Sequence, residues 1–177
     1  MRKTLIVCAV LMAGSAAGAE TVSGWDRFQL WNRCHPVRLS VSVGDAETST
    51  EVQKKIGLTV KEIETAALST LRRTRLYDPN AFNGKVEVLV DATGSALSVG
   101  RVFARGAAFL IQVNFLKAMY DPLSKKGDEI YSLETWRTGG FGLYDKDSET
   151  WLLSNISGYM DEFVEKYLRV NGPACKS

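Results

Sequence analysis

A single histidine, His35, stands between Cys34 and Pro36. Histidine is the side chain whose ordinary titration suits a general base near neutral pH. One of them beside a cysteine is a poor start for a nucleophile–base–acid arrangement, and the plainer reading is a surface turn residue. A zinc site of histidine and cysteine would need more ligands than this chain offers, unless Cys34 and Cys175 both stay reduced. Gly139-Gly140-Phe141-Gly142 has neither the spacing nor the following Gly-Lys-Ser/Thr of a phosphate loop, so it reads as a flexible turn. Asp145, Asp147 and Glu149 alternate and could hold Ca²⁺ weakly, but the glycine and distal glutamate of an EF-hand loop are missing. Charge at the start of a helix explains them more simply. Arg72, Arg73 and Arg75 could clamp an anion; cations in a last helical turn explain them as well. No two carboxylates are singled out to face one another as a general acid and base. Asn155-Ile-Ser157 has the form of a glycosylation triplet but lies within a predicted helix. No metal, no cofactor and no catalytic residue is expected.

The combination best suited to binding is Trp136-Arg137 followed by Phe141. Together they could form an aromatic and cationic rim for a peptide, a sugar or another protein. The competing reading is a core tryptophan beside a solvated arginine.

The elements that would position these groups begin after a leader. Residues 1–19 read as a secretory signal: Arg2 and Lys3, the apolar stretch Leu5 to Met12, then Ala17-Gly18-Ala19 as a small-residue cleavage site. Cys8 lies inside it, and Val7 before it is not the small residue that lipidation would want. Taking nineteen residues from 177 leaves 158, enough for one domain or one domain with an arm. Two of the 22 basic residues and none of the 20 acidic ones lie in the leader, so the remainder is formally neutral. A neutral chain has no global field to draw nucleic acid or an acidic membrane. No later apolar run reaches the roughly 18 residues of a membrane span, so no stable insertion is expected after cleavage. Export also bears on the two remaining cysteines, Cys34 and Cys175. In an oxidising compartment they would pair and close the chain end to end; the alternative is two free, buried thiols.

Residues 20–36 form an aromatic arm in which Trp25, Phe28 and Trp31 recur every three residues, as on one face of a short helix or 3₁₀ segment. With Cys34 as anchor, the arm is expected to pack on the body rather than to present a patch. Residues 37–177 read as a single domain. Val37 to Val43 alternates as a half-buried strand. Thr59 and Glu62 form a capping box for a helix from Val60 to about Leu76. Val86, Val88 and Val90 begin a second strand. Ser95 to Phe103 and Ala107 to Tyr120 read as extended, with Gly100 and Gly106 at bends, and Ile130 to Arg137 is the last strand candidate. A final helix spans about Glu149 to Val170, its core face Leu152, Ile156, Met160, Phe163, Val164, Tyr167 and Leu168, with Asn171-Gly172-Pro173 as its stop. The predicted class is α+β: a mainly antiparallel sheet of four to five strands with two helices packed on one face.

Several features recur in order along the chain. They are Trp25-Asp-Arg-Phe28 with Cys34, Leu58-Thr59 opening a helix that ends Leu71-Arg72…Arg75-Leu76-Tyr77, Tyr120-Asp-Pro122, Thr135-Trp136, and Tyr167-Leu-Arg-Val-Asn171 with Cys175. In this the chain resembles a family of short exported bacterial proteins of unknown function. The resemblance implies an exported single domain with two terminal cysteines, and it implies no activity.

The expectation is a periplasmic or secreted globular protein that acts by binding, as an accessory protein at the bacterial cell envelope, with a protein or other envelope component as partner. The rival readings are a small periplasmic hydrolase using carboxylates or a loop serine, and a structural subunit of an exported assembly.

Overall fold

A computed structural model describes residues 21–44, 57–81, 84–93, 98–99, 102–103, 108–120, 130–143 and 148–176. The leader, residues 45–56 and 121–129, the expected bends at Gly100 and Gly106, and the carboxylates Asp145 and Asp147 lie outside the described residues. The elements in order are α1 (Gly24–Leu30), β1 (Arg38–Val43), α2 (Val60–Arg73), β2 (Gly84–Thr93), β3 (Ser98–Val99), β4 (Val102–Phe103), β5 (Ala108–Tyr120), β6 (Ile130–Leu143) and α3 (Ser148–Cys175).

One sheet runs β1-β2-β5-β6, and β3 with β4 forms a separate antiparallel ribbon. β1 pairs parallel with β2, because the chain returns between them through α2; the other two pairings are antiparallel. The sheet therefore matches the mainly antiparallel expectation with one parallel pair. The described helices number three rather than two, since the aromatic arm contributes α1.

Alternation along each strand assigns the faces. Val86, Val88, Ile111, Val113, Phe115 and Trp136 bury on the face covered by the helices. Phe115 and Trp136 meet Phe163 of α3 with ring centroids 5.5 Å apart in each case. α3 supplies Leu152, Ile156, Met160, Phe163 and Tyr167 as a fully buried stripe at helical spacing. α2 supplies Ile63, Ala67 and Leu71. Its start is the anticipated capping box: Thr59 N–H donates to Glu62 Oε2 at 2.7 Å and Glu62 N–H to Thr59 Oγ1 at 3.3 Å. Between the two helices Arg73 donates to Asp161 at 2.7 Å.

Three boundaries depart from the sequence reading. α2 ends at Arg73 instead of about Leu76, and Arg75 turns the chain with φ 58°. The glycine-rich segment is strand, not a turn: β6 runs on through Gly139, Gly140 and Gly142. Glycine serves close approach there. A Cβ at position 139 would collide with the Ile111 carbonyl oxygen, and one at 140 would stand 2.5 Å from the Tyr159 hydroxyl. α3 continues past Asn171-Gly172-Pro173 to Cys175. Pro173 supplies no N–H to the Arg169 carbonyl, but only two helical residues follow it, and the last of them, Cys175, is held covalently to the arm.

Candidate binding surface

The arm is built into the fold by its backbone carbonyls. α1 starts on a capping box in which Asp26 N–H donates to Ser23 Oγ at 3.0 Å and Ser23 N–H to Asp26 Oδ2 at 3.2 Å. The Ser23 hydroxyl also donates to Asp26 Oδ2 at 2.8 Å, and this bond, then the Ser23 N–H and the charge of Arg169, hold the Asp26 carboxyl below its ordinary range. A helix leaves its last four carbonyls without intrahelical donors, and in a helix of seven residues that is most of the element. Here each finds a partner. Arg27 O accepts from Trp31 N–H at 2.9 Å. Phe28 O accepts from Lys117 Nζ of β5 at 2.6 Å, Gln29 O from Thr135 Oγ1 of β6 at 2.7 Å, and Leu30 O from Asn171 Nδ2 of α3 at 2.9 Å. Burial pushes the Lys117 ammonium below its ordinary value. The β5–β6 register shifts at Phe115/Leu116, and the extra residue on β6 is Thr135, whose hydroxyl reaches under α1.

Asn171 completes the clamp. Its side chain is fully buried. Besides its bond to Leu30 O it donates to Tyr167 O at 2.9 Å, and its Oδ1 accepts from Asn32 N–H at 2.8 Å and Cys34 N–H at 3.3 Å. Both amide hydrogens and the carbonyl oxygen are thus used. The Tyr167 hydroxyl donates to His35 O at 2.6 Å and accepts from Asn32 Nδ2 at 3.2 Å. Its burial pushes the phenol up to about 12, against the lowering effect of the Asn32 bond. Arg33 and Cys34 take left-handed backbone angles, φ 52° and 59°, and bring Cys34 to its disulfide with Cys175. The pairing expected from export is therefore present.

With its backbone and Leu30 turned inward, α1 presents its rings outward. Trp25 is 65% exposed, Phe28 56% and Trp31 41%, and Trp25 stacks on Phe28 at 5.4 Å. Between α1 and the end of α3 lies an apolar groove of about 590 Å³, lined by Gly24, Arg27, Phe28, Trp31, Val170 and Pro173. The arm packs on the body through Leu30 and the carbonyls, but its three rings stay in solvent, so it also presents the aromatic patch that the sequence reading sets aside.

The anticipated rim is divided. Trp136 is 6% exposed and faces α3, with Lys166 Nζ 5.8 Å from its ring centroid. Arg137 points to the opposite face, paired with Glu134 at 2.8 Å, and the bond and charge of Glu134 raise its pKa. Phe141 shares that face, 73% exposed, and lines a depression of about 360 Å³ with Arg137, Leu110 and Gln112. Past the bulge at Thr135 the strand alternates regularly, so Trp136 and Arg137 point to opposite faces while positions 137 and 141 share one. Of the arginine run, Arg73 is engaged by Asp161, and the Arg72 guanidinium lies 5.5 Å from the Tyr77 ring centroid. His35 contributes its carbonyl to the clamp. Among the described residues no three His, Cys, Asp or Glu side chains are grouped to hold a metal ion, and no helix is long and apolar enough to cross a membrane.

No family model and no curated protein matches the sequence. Eight solved chains match by structure. One is the rare lipoprotein B from Shewanella oneidensis, at 15% identity and a TM-score of 0.34, covering 72% of this chain and 91% of that one. Another is a minor lipoprotein from Acinetobacter baumannii, at 13% identity and a TM-score of 0.34, covering 76% of this chain and 93% of the other. Likeness of that degree transfers neither fold nor role.

Proposed function

We propose that this is an exported accessory protein of the bacterial envelope that works by binding, and that α1 is the face it offers. One observation carries the reading. A helix of seven residues is fixed by three other elements and a disulfide, yet together with its C-cap Trp31 it holds three aromatic rings in solvent. A chain that wanted only a packed arm would turn those rings inward, since each buries 150–250 Å² of mostly apolar surface. Rings held rigid and exposed cost little further conformational entropy when a partner covers them. The leader and the disulfide support an oxidising compartment outside the cytoplasm.

The test is a photo-activatable side chain at position 28 in living cells, with position 141 as the comparison. Both residues are exposed phenylalanines, and they sit on different parts of the molecule. A discrete adduct, protein or lipid, from position 28 and not from 141 supports the reading. Equal adducts at the two positions, or none at 28, overturns it.

A further inference from the structure

Resting on that reading, we infer that the partner of α1 is a lipid surface. Trp25, Phe28 and Trp31 enter the boundary between headgroups and acyl chains of an anionic bilayer, and Arg27, Arg33 and Lys176 meet its phosphates.

The first ground is the kind of ring. Two of the three are tryptophans, whose apolar body and polar N–H suit the membrane–water interface. The second is local charge. Arg27 lines the groove, Arg33 and Lys176 adjoin the two disulfide cysteines, and all three are exposed. The acidic group of α1, Asp26, is already held by Ser23 and by Arg169 at 3.8 Å. The chain beyond the leader is formally neutral, but screening confines the effective field to about 8 Å, so the local excess decides what approaches this end.

The third ground is area. The exposed parts of the three rings come to roughly 400 Å², about half of the roughly 800 Å² that each partner brings to a stable protein interface. A second copy docking through these rings alone would be undersized, whereas separate rings can insert in lipid without a matching surface. The fourth is rigidity. A free peptide of seven residues does not hold a helix in water; α1 is held by its clamp, so its rings meet the bilayer already arranged. At about 10 Å long, α1 can only lie in the interface, since the hydrocarbon core is about 30 Å thick.

The experiment is flotation of the disulfide-intact protein with vesicles of phosphatidylethanolamine containing a minority of phosphatidylglycerol, and with vesicles of phosphatidylcholine alone. Every variant keeps the same N-terminus, so any contribution from residues before 21 is common to all. Binding is expected to the anionic vesicles and to fall with salt. Trp25→Ser with Phe28→Ser should weaken it by about tenfold or more, Arg27→Glu by several fold, and Phe141→Ser by less than about twofold. Fluorescence quenching by brominated acyl chains should disappear in Trp25→Phe/Trp31→Phe and persist in Trp151→Phe. Circular dichroism melts check that these surface variants stay folded. Wild type that does not float with anionic vesicles, or ring variants that float as well as wild type, overturns the inference. So does a concentration-dependent dimer abolished by the same substitutions, which would assign the rings to a second copy. A discrete protein adduct from position 28 without vesicle binding removes the lipid and keeps the docking face; no adduct of any kind at 28 removes both.

Discussion

Replacing Asn171 with alanine removes one buried amide and leaves three backbone groups without their partner: the Asn32 and Cys34 N–H groups and the Leu30 carbonyl. The Tyr167 carbonyl lies one helical turn back and keeps its ordinary donor, the Asn171 N–H. An unpaired buried group costs about 1–3 kcal/mol. The Asn32 donor and the Leu30 acceptor sit at buried residues with bonds of 2.8 and 2.9 Å, while the Cys34 bond is longer and only part-buried. Counting the first two near the middle of that range and discounting the third gives about 4 kcal/mol. At about 3 °C per kcal/mol for a domain of this size, Asn171→Ala should melt about 12 °C below wild type. Asn171→Asp keeps the shape and the acceptor, loses both donors, and sets a carboxylate against two carbonyl oxygens. It should be worse than alanine at neutral pH and recover as the carboxyl is protonated. Asn155→Ala is the control on the same helix. That amide bonds to the Trp151 carbonyl at the surface, and its loss should change stability by less than about 0.5 kcal/mol. The assay is urea unfolding of the oxidised protein, followed by circular dichroism and tryptophan fluorescence. A loss below 1 kcal/mol for Asn171→Ala, or an Asn171→Asp variant as stable as wild type at pH 7, would show that the arm is not held by this amide.

Reduction, or Cys34→Ser, opens a cross-link between residues 141 apart; chain entropy sets the loss at up to about 5 kcal/mol, read as a lower urea midpoint with the α1 rings still exposed. Tyr167 makes stability fall at high pH: its folded pKa of about 12 lies above the ordinary 10.0, so the contribution is complete below pH 10 and is lost as pH rises toward 12. The loss is about 3 kcal/mol; Tyr167→Phe should be less stable at neutral pH and flat across that range, and a wild-type midpoint that does not move between pH 9 and 12 would contradict it. Gly139→Ala drives a methyl into the Ile111 carbonyl and should cost more than 2 kcal/mol, whereas Gly158→Ala meets nothing within 4 Å inside a helix and should add about 1 kcal/mol; thermal melts of the pair check both signs.

What could be read in advance was whatever rests on neighbours a few residues apart. The capping box at Thr59 and Glu62 and the stripe from Leu152 to Tyr167 are local hydrogen bonding and helical spacing. The pairing of Cys34 with Cys175 followed from compartment and count, with no geometry needed. The alternation from Val37 to Val43 was legible for the same reason, as was the α+β class. Nothing local distinguished a glycine-rich turn from the end of β6. Gly139 and Gly140 answer to Ile111 and Tyr159, which arrive from other elements.

The aromatic face of α1 shows the division most sharply. Trp25, Phe28 and Trp31 were visible as a period of three, and a period states that residues share a face without stating which way it looks. Tertiary structure decided that through groups from distant sequence: Lys117, Thr135 and Asn171 take the α1 carbonyls, and Leu30 takes the interior. Likewise the tryptophan of Trp136-Arg137 went to the core and the arginine to the other face, because a strand separates adjacent side chains whatever their chemistry. Spacing along the chain is a property of the residues themselves. Inside and outside are properties of what else arrives, and only packing supplies that.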